Sequence, residues 1–230
     1  MTASGTWNFS ITNGEAVIDA YERCGIFMPQ LEQKHFYTAR RQLNLMFTSE
    51  WSNKQVNLFA VVLNSQALTQ GTPTYTLPAN VVMILDAYRS TTTAGVQTDI
   101  FMTPISRDDY AAYPQKSTPG PPNQYWFNRQ ITPTVTTYPV ADNAGPYTLN
   151  YYACISVQDA NLPNGETPGI PNRWFDAMCS GLAWRVSKVY APDKTASLKT
   201  DYDEAWRTAA TQDIENVPIR IVPKMSGYYR

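Results

Sequence analysis

The sequence predicts an α+β protein, in which helices from both ends of the chain form an α-helical bundle around an inserted antiparallel β domain. Twelve of the 17 prolines fall within residues 55–170, where short apolar runs alternate with turn residues. Apolar residues at helical spacing dominate the segments on either side. We therefore divide the chain into an N-terminal bundle segment (1–54), a β-rich inserted domain (55–170), a C-terminal bundle segment (171–216) and an extended C-terminal tail (217–230).

Two helices are predicted in the N-terminal bundle segment. The first begins with Asn13 as its N-cap and ends at Gly25, which suits the left-handed position after a helix. Its apolar stripe is Ala16, Val17, Ala20, Tyr21 and Cys24. The second helix covers residues 31–51, with the stripe Phe36, Ala39, Leu43, Met46, Phe47 and Trp51. Arg40, Arg41 and Glu50 lie mostly off this stripe, and the arginine pair is interpreted as a solvated helix face.

The middle of the chain predicts short strands separated by proline turns. The segments are 58–63, 75–77, 81–88, 99–105, 125–127, 134–138 and 147–157. Ser106 and Asp109 have the spacing of a capping box, which predicts a short helix ending near Tyr113. Residues 116–122 hold three prolines and a glycine and are predicted to form a surface loop.

Two further helices are predicted before the tail. The third begins near Pro171, with the stripe Phe175, Met178, Cys179, Leu182, Ala183, Val186 and Val189. Pro192 blocks its continuation, and Asp193 is the expected cap of the fourth helix. That helix runs to about Asn216, with the stripe Leu198, Tyr202, Ala205, Trp206 and Ala209. Two prolines and Gly227 predict an extended tail beyond it.

Composition limits the function classes. The net charge is −1, so the chain lacks the strongly basic balance of nucleic-acid-binding proteins. Charged residues make up only 16%, and the polar, aromatic-rich remainder suits a surface covered by partners. No apolar run is long enough for a transmembrane helix, and we expect no secretory signal. The three cysteines are expected to be reduced, buried thiols in a protein made in the cytoplasm.

No constellation of catalytic residues, cofactor motif or metal-ligand spacing emerges, so we predict a protein that is not an enzyme. The one histidine, His35, is expected to be a core or surface residue. Asp108 and Asp109 are interpreted as charges that complement a helix dipole, and Asp203 and Glu204 do not share a helix face. Cys179 lies inside a predicted helix, where a nucleophile would be poorly exposed. Gly181 beside it predicts close helix packing.

Two other features bear on binding. Tyr125, Trp126 and Phe127 have the residue types that stack on bases, but only Arg129 adds a nearby positive charge, so core or partner packing is favoured. The tail combines β-branched, aromatic and basic residues without an acidic one. We expect it to dock on a partner, with the contact residues Ile219, Arg220, Ile221, Val222, Lys224, Tyr228, Tyr229 and Arg230.

In its order of motifs the chain resembles the head-to-tail adaptor, or head completion, proteins of tailed bacteriophages. The stretches that carry the resemblance are 39–46, 51–53, 71–78, 98–100, 105–110, 116–121, 202–206 and 221–223. The resemblance implies a helical bundle with a β domain, located in the virion at the head–tail interface. It also implies a twelve-subunit ring beneath the portal protein that extends the DNA channel and offers a platform to the tail nozzle, tail tube or fibre proteins. Genomic DNA would pass through without specific binding, and no cofactor or membrane is implied.

Two rival classes remain open at this stage. One is a carbohydrate- or receptor-binding β module on a helical stalk, with Tyr125, Trp126 and Tyr138 as its platform. The other is an enzyme whose site is not recognised. A mass measurement separates the first from the adaptor, because a ring subunit should assemble.

Overall fold

The computed structural model describes residues 5–6, 8–52, 60–93, 95–161 and 166–214, and these ranges are mixed helix and sheet, as predicted. The α-helices are α1 (Asn13–Cys24), α2 (Gln33–Leu45), α3 (Arg107–Ala112), α4 (Phe175–Tyr190) and α5 (Thr195–Gln212). A π-helical segment, Met46–Trp51, continues α2. The strands are β1 (Val61–Leu68), β2 (Thr74–Thr76), β3 (Val81–Thr93), β4 (Val96–Phe101), β5 (Thr103–Pro104), β6 (Gln124–Asn128), β7 (Thr134–Tyr138) and β8 (Tyr147–Ile155).

The strands form two four-stranded sheets with the orders β1-β8-β3-β4 and β2-β7-β6-β5. One hydrophobic core lies between the sheets and takes side chains from both, including Leu149 and Tyr151 of β8 and Tyr125 of β6. The expectation of an antiparallel domain is wrong at two places, because Pro119 forms an isolated parallel bridge with Val140 and β5 pairs with β6 in parallel. This pair is two residues long, and α3 with the loop after it supplies the crossover that parallel strands require.

A second hydrophobic core belongs to the helices. Buried residues of α1, α2, α4 and α5 meet there, joined by Val157, Ala160 and Ile170 from the segment between β8 and α4. At its centre the indole rings of Trp51, Trp174 and Trp206 lie 4.9–5.4 Å apart, centroid to centroid. The helical stripes are therefore confirmed as core faces, with the exception of Val189. The division of the chain at residues 54, 170 and 216 stays a prediction.

A polar network crosses this core. Arg185 Nη2 of α4 donates to Glu50 Oε2 at 2.7 Å, and the Tyr202 hydroxyl of α5 donates to Glu50 Oε1 at 2.8 Å. Trp51 Nε1 donates in turn to the Tyr202 oxygen at 3.2 Å. Burial and the neighbouring Glu50 carboxylate raise the pKa of Tyr202 well above its usual range, so the phenol stays a donor. Glu50 therefore ties the π-helical segment to both C-terminal helices.

The helix ends differ from expectation in two places. Thr12, and not Asn13, caps α1: its hydroxyl accepts from Glu15 N, while the Glu15 carboxylate accepts from Thr12 N. Asn13 is instead buried, and its amide Nδ2 donates to the carbonyl of Asn161. Asp193 does not cap α5, because it lies within a short 3₁₀ turn, Pro192–Lys194, that precedes the helix. Gly25 does adopt the left-handed conformation, with φ of 90°.

Other helix and strand boundaries also differ from the predicted ones. Val189 of α4 is 63% exposed and does not belong to the stripe. α4 begins at Phe175, after a 3₁₀ turn that follows Pro171, and α5 ends at Gln212. β1 runs on to Leu68 through polar residues, and β3 runs on to Thr93, because both strands have a solvent-facing side that tolerates polar residues. The three cysteines are free and buried, as predicted.

Gly181 is confirmed as a close-packing position. A Cβ atom there would lie 2.6 Å from Met46 Sδ and 2.8 Å from Tyr202 Cε2. We expect overpacking in Gly181→Ala to lower the free energy of unfolding by about 1–3 kcal/mol. The better helix propensity of alanine should offset up to about 1 kcal/mol of this loss. Denaturant unfolding followed by circular dichroism measures the change.

Gly14→Ala in α1 is the matched control. Its new Cβ meets no atom closer than Thr12 Oγ1 at 3.9 Å, so this variant should be neutral or more stable by up to about 1 kcal/mol. Equal stabilisation of both variants would show that Gly181 is not needed for helix packing.

Candidate functional site

The residues predicted to bind a partner lie in the tail, residues 217–230, and the whole tail falls outside the described residues. That prediction therefore stays a prediction. The candidate residues that the structure does describe are His35, the acidic pairs, Cys179 and the aromatic set of β6 and β7.

His35 has a structural position in α2. Its Nδ1 accepts from Glu32 N at 2.9 Å, which satisfies a backbone donor at the start of the helix. The ring is buried between Tyr21 and Tyr190, at 5.2 and 4.9 Å between ring centroids. His35 is therefore a core residue, which is one of the two positions expected for it.

The acidic pairs and Cys179 also have structural partners. Asp109 accepts from the Ser106 backbone and hydroxyl, and these hydrogen bonds lower the pKa of its carboxyl. Asp203 pairs with Lys199 on the surface of α5. Burial raises the pKa of the Cys179 thiol to about 12, which disfavours the thiolate that a nucleophile needs.

The aromatic residues of β6 do not form one platform. Successive residues of a strand point to opposite sides, so Tyr125 and Phe127 face the core between the sheets, while Trp126 lies on the outer side. Burial raises the pKa of Tyr125 to about 12. A platform of Tyr125, Trp126 and Tyr138 is therefore wrong for Tyr125, which is buried in the core.

An aromatic ledge covers the outer side of this sheet instead. Tyr110 of α3 stacks on Trp126, with 5.6 Å between centroids and 23° between planes, and Tyr113 stacks on Tyr138 at 4.2 Å and 18°. The Tyr113 hydroxyl donates to Gln124 Oε1 at 2.7 Å. The ledge, defined as Tyr110, Tyr113, Trp126 and Tyr138, fixes α3 against the sheet.

A groove of about 630 Å³ lies at one end of the ledge. The turn after β1, the loop before β6 and the loop between β7 and β8 surround it, and Tyr110 forms part of its wall. Its polar lining includes Gln70, Lys116, Ser117, Asp142 and Asn143. Sequence reasoning missed these residues, because three separate loops bring them together and no local pattern connects them.

No group of three or more histidine, cysteine, aspartate or glutamate side chains is arranged to hold a metal ion within the described ranges. None of the helices in the same ranges has the length and apolar character to cross a membrane.

Comparison with known proteins places the chain in a family. A search among curated proteins finds no match. The family model for SU10 adaptor proteins matches residues 35–222, which is most of the chain. The match includes α4, α5, all of the described strands and α2 from His35 onwards, and α1 lies before it. This is a family of structural phage proteins and not of enzymes, and an adaptor of this kind is a component of the virion that interacts with portal and tail components. The chain thus belongs to the SU10 adaptor protein family, one of the head-to-tail adaptor families of tailed bacteriophages.

Proposed function

We propose that this protein forms a closed ring of about twelve subunits beneath the portal, where it lengthens the DNA channel and presents a docking platform for the phage tail. The observation that carries the proposal is the family match over residues 35–222. The low charged fraction, 16%, also suits subunits whose surfaces are covered by neighbours.

Within this ring subunit, the N- and C-terminal helices form one bundle and the β-sandwich is inserted between them. The shared helical core and the Glu50 network, which both join residues far apart in the chain, support this arrangement. The sandwich then has surfaces free for tail or fibre proteins.

The C-terminal tail of the chain, residues 217–230, attaches the subunit to the portal. Its fourteen residues span up to roughly 46 Å when extended, so they can reach beyond the bundle. Ile219, Ile221 and Val222 can add to a strand edge or fill a groove. Arg220, Lys224 and Arg230 have no acidic residue within the tail, so their counter-charges lie elsewhere. Tyr228 and Tyr229 are amphipathic anchors of the type enriched at interfaces.

Removal of the tail tests this attachment. A variant that ends at Asn216 should have a free energy of unfolding within about 0.5 kcal/mol of that of the full chain, since surface changes rarely cost more. It should fail to bind purified portal in a surface-plasmon-resonance experiment. Unchanged affinity for portal would move the attachment surface to the bundle.

Two full-length variants separate the contributions within the tail. One replaces Ile219, Ile221 and Val222 with serine, and the other replaces Arg220, Lys224 and Arg230 with serine. The first should weaken portal binding at every salt concentration, whereas the second should remove the salt-dependent component of the affinity.

The channel should let DNA pass without binding it. A polar or mildly acidic lumen meets this need, because strong neutralisation of phosphates would slow passage. The net charge of −1 favours such a lumen. Tight, salt-dependent binding of the isolated ring to duplex DNA would count against it.

A further inference from the structure

The groove beside the aromatic ledge combines features that a purely structural surface does not need. Its volume, about 630 Å³, falls in the range of roughly 300–1,000 Å³ that is typical of small-molecule sites. Three loops contribute to it, and each of them brings a polar side chain to the same space.

One wall offers an aromatic surface. The Tyr110 ring borders the groove and is held in place by Trp126, with 5.6 Å between their centroids. Lys116 Nζ lies 5.6 Å from the Tyr110 ring centre and donates to the carbonyls of Ala111 and Tyr113. An ammonium carries three N–H donors, so one remains for a ligand beside the ring.

The opposite side offers a fixed acceptor. Asp142 Oδ1 accepts from Ala144 N and from the Tyr147 hydroxyl, both at 2.9 Å. These two bonds orient the carboxylate and leave its second oxygen as an acceptor for a ligand.

A buried arginine contacts the tyrosine that donates to this acceptor. The Arg89 guanidinium lies 5.1 Å from the Tyr147 ring centre, and Arg89 is only 6% exposed. Its Nη1 donates to the carbonyl of Pro122. No carboxylate forms an ion pair with Arg89 among the residues that the structure describes. Tyr147 therefore has the Arg89 guanidinium near its ring and the Asp142 carboxylate at its hydroxyl.

We propose that this groove binds a neutral saccharide, with one sugar ring against Tyr110 and its hydroxyls bonded to Lys116 and Asp142. An aromatic face matches the C–H face of a pyranose, and amide, ammonium and carboxylate groups match its ring of hydroxyls. Lys116 and Asp142 give the lining one positive and one negative charge, which favours a neutral polar ligand over a charged one, and the polar lining disfavours a wholly apolar ligand. Gln70, Ser117 and Asn143 supply further hydrogen bonds to the same ligand.

The test is saturation-transfer-difference NMR on the full chain with the methyl glycosides of glucose, galactose, mannose and N-acetylglucosamine. At least one should receive saturation, and its dissociation constant should rise about tenfold or more in Asp142→Asn and in Tyr110→Ala. Lys116→Met is a third variant, which keeps the ledge and removes only the donor. Tyr37→Ala is the matched control, because it removes an exposed tyrosine from α2, away from the groove.

The outcomes separate the possible explanations. No transfer from any of the four glycosides overturns the proposal, and so does binding that survives in all three groove variants. A glycoside that binds free but not when displayed on a polymer indicates a small-molecule site, whereas equal binding to the polymer indicates recognition of a surface polysaccharide. Assembly with portal is a separate readout, so failure here leaves the adaptor role untouched.

Discussion

Replacement of Trp174 with alanine is expected to lower the free energy of unfolding by about 3–5 kcal/mol. Trp174 is fully buried between Trp51 and Trp206, at 5.2 and 4.9 Å between centroids, in the core where the helices meet. Its removal leaves a cavity bordered by two other rigid rings that cannot easily collapse. Guanidinium unfolding, followed by far-ultraviolet circular dichroism, measures the loss.

Val189→Ala is the control, because Val189 projects from the neighbouring helix α4 and is largely exposed. It should change the free energy of unfolding by no more than about 0.5 kcal/mol. A loss below about 1 kcal/mol for Trp174→Ala would contradict a core centred on the three tryptophans.

Replacement of Glu50 with alanine is expected to cost roughly 2–4 kcal/mol. The side chains of Arg185 and Glu50 are only 15% and 19% exposed, and Glu50 accepts from both Arg185 and Tyr202. Without it, a mostly buried guanidinium loses its counter-charge and the phenol loses its acceptor. The unpaired charge accounts for most of the cost.

Two further variants check that explanation. Glu50→Leu combined with Arg185→Met should recover much of the loss, because no uncompensated charge remains. Asp203→Asn, which breaks the exposed Lys199–Asp203 pair, should cost no more than about 0.5 kcal/mol. If the double variant is as unstable as Glu50→Ala, the network acts through packing and not through charge.

The helical core was predictable from the sequence because its stripes are periodic over long segments. Tyr21, Leu43, Leu182 and Tyr202 all lie in predicted stripes and are all buried. Glu50 was predictable as a residue beside the stripe but not as a bridge between helices, since its partners come from α4 and α5, 135 and 152 positions away. Periodicity reports which face is buried, not which distant polar groups meet there.

The groove shows where sequence reasoning stopped. The capping box at Ser106 and Asp109 and the loop at 116–122 were both predicted, and both are present. The groove that they help to form was not predicted, because α3 must fold back over β6 and β7 before Tyr110 reaches Trp126. Arg89 follows the apolar run of β3, and only the structure shows that its guanidinium lies near the ring of Tyr147, whose hydroxyl donates to Asp142.

The central claim is that this adaptor forms a ring on the portal, and a count of subunits tests it most directly. Purified portal is mixed with the full chain, and the complex is weighed by native mass spectrometry and imaged by electron cryomicroscopy. A closed cyclic ring of about twelve adaptor subunits on one face of the portal is the predicted result. A single copy, a twofold dimer, or adaptor bound without cyclic symmetry would contradict the account.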